Sequence, residues 1–142
     1  PEGESVVFGE VLVNYSAGLA ESWINVYDEK SSRKVLLQPV RKFGGPFYWH
    51  LPPGRYLALD LETVGLGGYG GSSLRIYGKF SVDSPSQLVY IGRLQIAFDR
   101  RGSVLSMMVK DDFDEAVGRI HADRPTVQGP ITKNLLQLEK SR

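Results

Sequence analysis

The residues of this chain that could do chemistry fall into a few groups. Gly65-Leu66-Gly67-Gly68-Tyr69-Gly70 spells G-x-G-x-x-G, the glycine pattern that lets a pyrophosphate approach the start of a helix. Asp111, Asp112, Asp114 and Glu115 form the dense acid cluster, with the hard oxygens that calcium prefers. His50 and His121 are the only histidines, the side chains best suited to moving protons near neutral pH. Trp23, Asn25 and Tyr27 stand at alternating positions, and Phe47, Tyr48 and Trp49 are consecutive. Aromatic rings beside an amide suit stacking on sugars or anchoring a protein partner.

Each group depends on the element that carries it. The glycine run leads into Leu74, Ile76 and Phe80, which alternate as in a strand. No helix follows to receive a phosphate, so the run reads as a hairpin loop. A calcium loop starting at Asp112 would need Gly at its sixth position, where Val117 stands. The acids instead suit a helix start, with Asp112 as N-cap and Glu115 at N3. Asp60 and Glu62 have no evident mate for paired-carboxylate chemistry. The chain has no H-E-x-x-H, no G-x-S-x-G and no Cys, which removes zinc thiolates, thiol nucleophiles and disulfides. No catalytic residue, metal site or cofactor is therefore assigned. The ligand-binding candidates are Trp23, Asn25, Tyr27, Tyr48 and Trp49. The competing reading is that these aromatics belong to the core or lie under the C-terminal helix. Asn14-Tyr15-Ser16 also fits a glycosylation sequon, which matters only in a secreted eukaryotic protein.

The elements come from turn chemistry and alternation. Sixteen Gly and 8 Pro in 142 residues favour many short strands over long helices. Strands are expected at residues 6–13, 22–28, 35–40, 47–51, 55–64, 74–82, 87–98 and 104–109. Leu57, Leu59 and Leu61 are expected on one face of their strand, with Asp60 and Glu62 on the other. Leu88, Tyr90, Leu94, Ile96 and Phe98 are expected to share a face of theirs. Phe113, Val117 and Ile120 give residues 112–123 the stripe of a short amphipathic helix, stopped by Pro125. Residues 126–142 carry Ile131, Leu135, Leu136 and Leu138, which suggest a short element packed on the body before a frayed tail. The fold class is mainly β: one domain over 1–142, an antiparallel sandwich of about eight strands with one short C-terminal α-helix.

The charge balance bears on partners. A net charge of +1 argues against nucleic acid, because Arg33-Lys34, Arg41-Lys42 and Arg100-Arg101 fall at turns among balancing acids. No apolar run approaches the ~20 residues of a transmembrane helix. The chain begins at Pro1 without an initiator Met, as a trimmed chain or the mature part of a processed precursor would.

The stretch Phe47-Tyr48-Trp49-His50-Leu51-Pro52-Pro53-Gly54-Arg55-Tyr56-Leu57-Ala58-Leu59 resembles the carboxypeptidase regulatory-like, or transthyretin-like, β-sandwich modules. In those a strand ends in a Leu-Pro-Pro-Gly-x-Tyr corner and the next begins at the Tyr. The prolines stop ladder pairing, Gly permits positive φ, and the buried Tyr hydroxyl needs a partner. Phe80-Ser81-Val82, Val89-Tyr90-Ile91-Gly92 and Val109-Lys110-Asp111-Asp112 are similar to segments of small uncharacterised bacterial envelope lipoproteins. The resemblance implies an Ig/transthyretin-like fold and a non-catalytic interaction or structural module of an exported protein of the envelope or periplasm, with a protein or glycan partner. A carbohydrate-binding module using the aromatics is the alternative, and an unrecognised hydrolase the third reading. An open sandwich also leaves edge strands able to pair with another chain or with a second copy.

Overall fold

The structure, a computed structural model, describes residues 3–14, 19–40, 44–65, 72–98, 104–127 and 129–139. The glycine run beyond Gly65, the 99–102 turn and the last three residues lie outside these. Ten strands and one helix are assigned among the described residues. They are β1 (Ser5–Asn14), β2 (Leu19–Asp28), β3 (Lys34–Val40), β4 (Gly44–Leu51), β5 (Gly54–Gly65), β6 (Ser72–Val82), β7 (Leu88–Phe98), β8 (Val104–Lys110), α1 (Phe113–Asp123), β9 (Ile131–Lys133) and β10 (Gln137–Leu138). The eight strands read from alternation correspond to β1 through β8.

They form two sheets. Sheet A runs β4-β1-β7-β8, with β9 also on β7; sheet B runs β10-β6-β5-β2-β3. Val7, Val11, Trp49, Val89 and Ile96 from sheet A meet Ile24, Val26, Tyr56, Leu61, Ile76 and Phe80 from sheet B in one core. This two-sheet, mainly-β arrangement agrees with the expected sandwich, but the pairing is not all antiparallel. β1 runs parallel to β7, as does β9. Alternation identifies strands and their faces but carries no information on the direction of a distant partner.

Two bulges change which side chains face inward. Across the β1–β7 pair the register slips between Phe8 and Glu10, leaving an extra residue in β7 at Ile91–Gly92. Gly92 there has φ +101, and a Cβ would lie 2.6 Å from Val109 Cγ1, so only glycine fits. Val89 and Ile91 face the core before the bulge, and Leu94 and Ile96 face it after. Leu88 and Tyr90 instead face the helix. The expected single face of Leu88, Tyr90, Leu94 and Ile96 is therefore split in two. In β5, Leu59 is an extra residue against β2, between Ala58 and Asp60, while across the β5–β6 pair Ile76 and Tyr77 of β6 stand opposite Leu59 alone, so the extra residue there lies in β6. Tyr56, Ala58 and Leu61 point inward, and Leu57 and Leu59 do not join Leu61 as expected.

The proline corner behaves as its chemistry requires. The Tyr56 hydroxyl donates to the Pro52 carbonyl at 2.5 Å, satisfying the polar end of a buried ring. Gly54 is not at positive φ, contrary to expectation. Its place beside the tyrosine matters instead, because a Cβ would sit 3.3 Å from the Tyr56 hydroxyl.

Helix α1 covers the outer side of sheet A. Ala116 and Ile120 bury against Phe8, Leu88 and Tyr90, with Phe113 at the margin. Ala116, one residue before Val117, takes the place the periodicity gave to valine. After the helix, Leu135 packs on this cluster, and Leu136 enters the main core directly above Gly78. Residues 131–138 thus strap sheet A to sheet B, where the apolar residues of the extension suggest only a short element packed on the body.

Candidate functional site

Two polar constellations stand out, one on the outer side of each sheet. The first joins sheet A to α1. The Gly92 bulge turns Arg93 out of the core and sets it opposite Glu10 of β1. Its guanidinium pairs with Asp112 and lies 3.5 Å from both Glu10 Oε2 and Glu115 Oε2. Arg119 donates to Glu10 at 2.6 Å and to Glu115 at 2.9 Å. Asp112 does occupy the N-cap position, yet its side chain makes no capping bond. Arg93 has claimed the carboxylate in a pair of full opposite charges. Asp111 accepts from the Phe113 N–H instead and also pairs with Lys133 of β9 at 2.7 Å. The Lys133 contact holds the Asp111 carboxyl below its usual range. Tyr90 accepts from the Asp112 N–H at 2.9 Å. Arg93 Nε is buried without a hydrogen-bond partner, but every charged side chain of the network meets an opposite charge, and together they dock the helix.

The second constellation lies on the outer side of sheet B. Ile24 and Val26 enter the core, so alternation puts Asn25 on the opposite face. Strand register aligns Asn25 with Asp60 of β5 and Asp60 with Arg75 of β6. The next row aligns Trp23 with Glu62. Asn25 is only 3% exposed and Asp60 8%. The Asn25 amide donates to Glu62 Oε2 at 3.0 Å, while its Oδ1 is buried with no hydrogen-bond partner. Arg75 Nε stands 3.1 Å from Asp60 Oδ1, an ion-pair contact that misses hydrogen-bond alignment. Beside this row Tyr77 adopts φ +54, uncommon for a bulky residue and a mark of local strain. Arg75 lies over its ring at 5.7 Å. The described helix packs on sheet A, leaving this face uncovered by it.

The five candidate residues do not assemble into one site. Asn25 and Tyr27 belong to the sheet B face. Trp23 shares their strand, but its side chain lies outside the described residues. Tyr48 is on the helix side of sheet A. It donates to Asp123 Oδ2 at 2.6 Å and carries Arg124 4.8 Å over its ring. Burial and the bond to Asp123 push its hydroxyl up to about 12. Trp49 is a core residue, 1% exposed and stacked on Phe47 at 4.1 Å, so it offers no face to a ligand. Period-two geometry sends consecutive aromatics to opposite sides of β4, and the sandwich takes Phe47 and Trp49.

Protein-family models, curated proteins and solved structures were all compared with the chain. None matches. Functional residues must therefore be argued from the geometry. Asp60 and Arg75, outside the five candidates, join the sheet B site through register alone. The signal for them in the sequence was an acid within an apolar strand.

His50 and His121 are both exposed. Among the described residues, no three acid or histidine side chains converge on a metal-sized site. A shallow cleft of about 210 Å³ beside the proline corner is lined by Glu29, Arg55, Lys79, Ser81 and Asn134. Its charges are mutually engaged, since Lys79 lies 2.8 Å from Glu139 and 3.5 Å from Glu29.

Proposed function

We propose that this chain is a non-catalytic binding module of the Ig/transthyretin-like kind, belonging to an exported, envelope-associated protein, and that the outer face of sheet B is its recognition surface. The observation that carries the reading is Asn25. A buried amide oxygen without a partner costs about 1–3 kcal/mol, and native structures keep few such groups. Here it sits in a row of planar polar side chains on the sheet face that the helix leaves uncovered, beneath partly exposed neighbours and beside a tyrosine with a strained backbone, so a ligand would have to part those side chains to reach it. A ligand that donates to Asn25 Oδ1 and Asp60 accounts for the arrangement. The proline corner and its Tyr56–Pro52 bond support the fold-family reading, and the envelope location rests on the same resemblance.

A glycan is the ligand class this chemistry favours. Sugar hydroxyls both donate and accept, matching an Asn-Asp-Arg row, and Tyr27 and Tyr77 supply rings nearby. The test is a glycan array followed by NMR shift mapping with any binder found. Shifts confined to β2, β5 and β6, abolished by Asn25→Val with the fold intact, are expected. A binder whose shifts fall on α1 and survive that substitution would overturn the assignment of this face. An array without binders removes the glycan reading.

A further inference from the structure

We infer that β8 is a self-association edge, and that two copies of this chain join by antiparallel pairing of β8 about a two-fold axis at Met107. Among the described residues β8 is hydrogen-bonded on one side only, to β7. Its other side presents backbone donors and acceptors that only an extended strand can satisfy in series. The side chains make the same demand. Leu105 is 68% exposed and Met108 52%, with Val104 also open to solvent.

The other sheet edges carry the devices that keep edges unpaired. β3 begins at Lys34 and contains Pro39, and β4 contains Pro46. A proline removes a ladder donor, and an edge lysine resists burial. β10 is two residues long, too short to template a partner. From Val104 to Val109, β8 has no charge, no proline and no glycine; its one lysine is the final residue, Lys110. That leaves β8 as the unprotected long edge.

The sequence of β8 says what covers it. With Met107 on the axis, Leu105 faces Val109 of the second copy, Ser106 faces Met108, and Val104 faces Lys110. Every apolar residue but Val104 meets an apolar or small one, and Val104 can lie along the aliphatic stem of lysine. The two lysines fall at opposite ends of the ladder, so no like charges are opposed. The apolar surface also continues beside the seam, where Leu12 and Met108 flank a shallow depression over Gln95 and Ala97. The result is one continuous sheet made from two copies of sheet A. This inference is independent of the ligand proposed for sheet B.

Sedimentation equilibrium of the purified chain tests it, with a concentration-dependent dimer expected. Leu105→Lys should convert that dimer to monomer with unchanged far-ultraviolet circular dichroism, and with the melting temperature that the parent chain shows when diluted to monomer, because Leu105 makes little use of the core. The chain has no cysteine, so Met107→Cys introduces a single thiol. Pairing on the axis places the two Cα atoms about 4.5–5.5 Å apart, within disulfide range. Oxidation should then give a covalent dimer with Met107→Cys and far less with Leu105→Cys, which faces Val109. A chain that stays monomeric at every concentration would overturn the inference. So would a dimer indifferent to Leu105→Lys, or cross-linking as efficient at position 105 as at 107.

Discussion

The two outer faces of this sandwich solve opposite problems with similar residues. Both carry acids and arginines at neighbouring strand positions. On sheet A, Glu10, Arg93, Asp112, Glu115 and Arg119 share one ion-pair network in which Arg93 Nε alone lacks an aligned partner, and α1 closes over the apolar ground beside them. On sheet B, Asn25, Asp60 and Arg75 stand in line on the face the helix leaves uncovered, with Arg75 exposed, one buried amide oxygen unmet and one ion pair poorly aligned. A satisfied network stabilises docking; a buried polar group left unsatisfied costs stability and is retained where something else benefits. The contrast separates the face that docks the helix from the face proposed for recognition.

Removing the helix anchor should have the largest effect. Ile120→Ala leaves a cavity between α1 and sheet A and should cost about 2–5 kcal/mol by chemical denaturation. Arg93→Met should cost about 1.5–3 kcal/mol, since three carboxylates lose a shared charged donor. A cost near zero would reclassify the network as ornamental surface charge. Gly118→Ala tests α1 from the other direction. A Cβ there meets nothing within 4 Å, so the substitution should stabilise by about 1 kcal/mol. On sheet B the expectation reverses. Asn25→Val should change stability by less than about 1 kcal/mol, or raise it, because it removes an unmet buried acceptor. A loss as large as that from Ile120→Ala would make Asn25 a structural residue and erase the distinction between the faces.

The smallest effect concerns alkaline pH. The Tyr48 hydroxyl lies at about 12 against an ordinary value of 10.0, raised by burial and then by Asp123. Between those values the folded protein keeps a proton that the unfolded chain releases, so the folded state binds more protons and stability falls as pH rises. The contribution is complete below about pH 10 and lost as pH passes through about 12. Tyr48→Phe should flatten that part of the stability profile, and a tyrosinate absorbance titration should lose one group that titrates well above the ordinary range.

Much of the fold was legible because alternation and turn residues are local signals. The eight main strands, the helix and the packed extension all follow from spacing. What was not legible depends on events of a single residue. The extra residue at Gly92 inverts β7, splits Leu88 and Tyr90 from Leu94 and Ile96, and delivers Arg93 to the helix side. The extra residue at Leu59 does the same for Leu57 and Leu61. Which of Tyr48 and Trp49 faces the core is likewise a matter of phase, and phase is set by partners far away in the chain. The candidate site was half visible. Asn25 and Tyr27 stood out beside aromatics, whereas Asp60 and Arg75 join them only once β5 and β6 are in register.

The parallel pairing of β1 with β7 has a kinetic consequence. The first strand made waits beside β4 until residue 88 has been synthesised before its second neighbour exists, and β9 comes later still. Sheet A has one local hairpin, β7–β8, whereas sheet B can begin from two, β2–β3 and β5–β6, so the sheets should mature in sequence, B before A. Such distant contacts place refolding in the millisecond-to-second range of mixed and all-β topologies. Trp49, fully enclosed where the sheets meet, is a natural reporter of that step. In stopped-flow fluorescence of a Trp23→Phe chain, which leaves Trp49 as the single tryptophan, its burial should lag behind the hydrogen-exchange protection of β5 and β6.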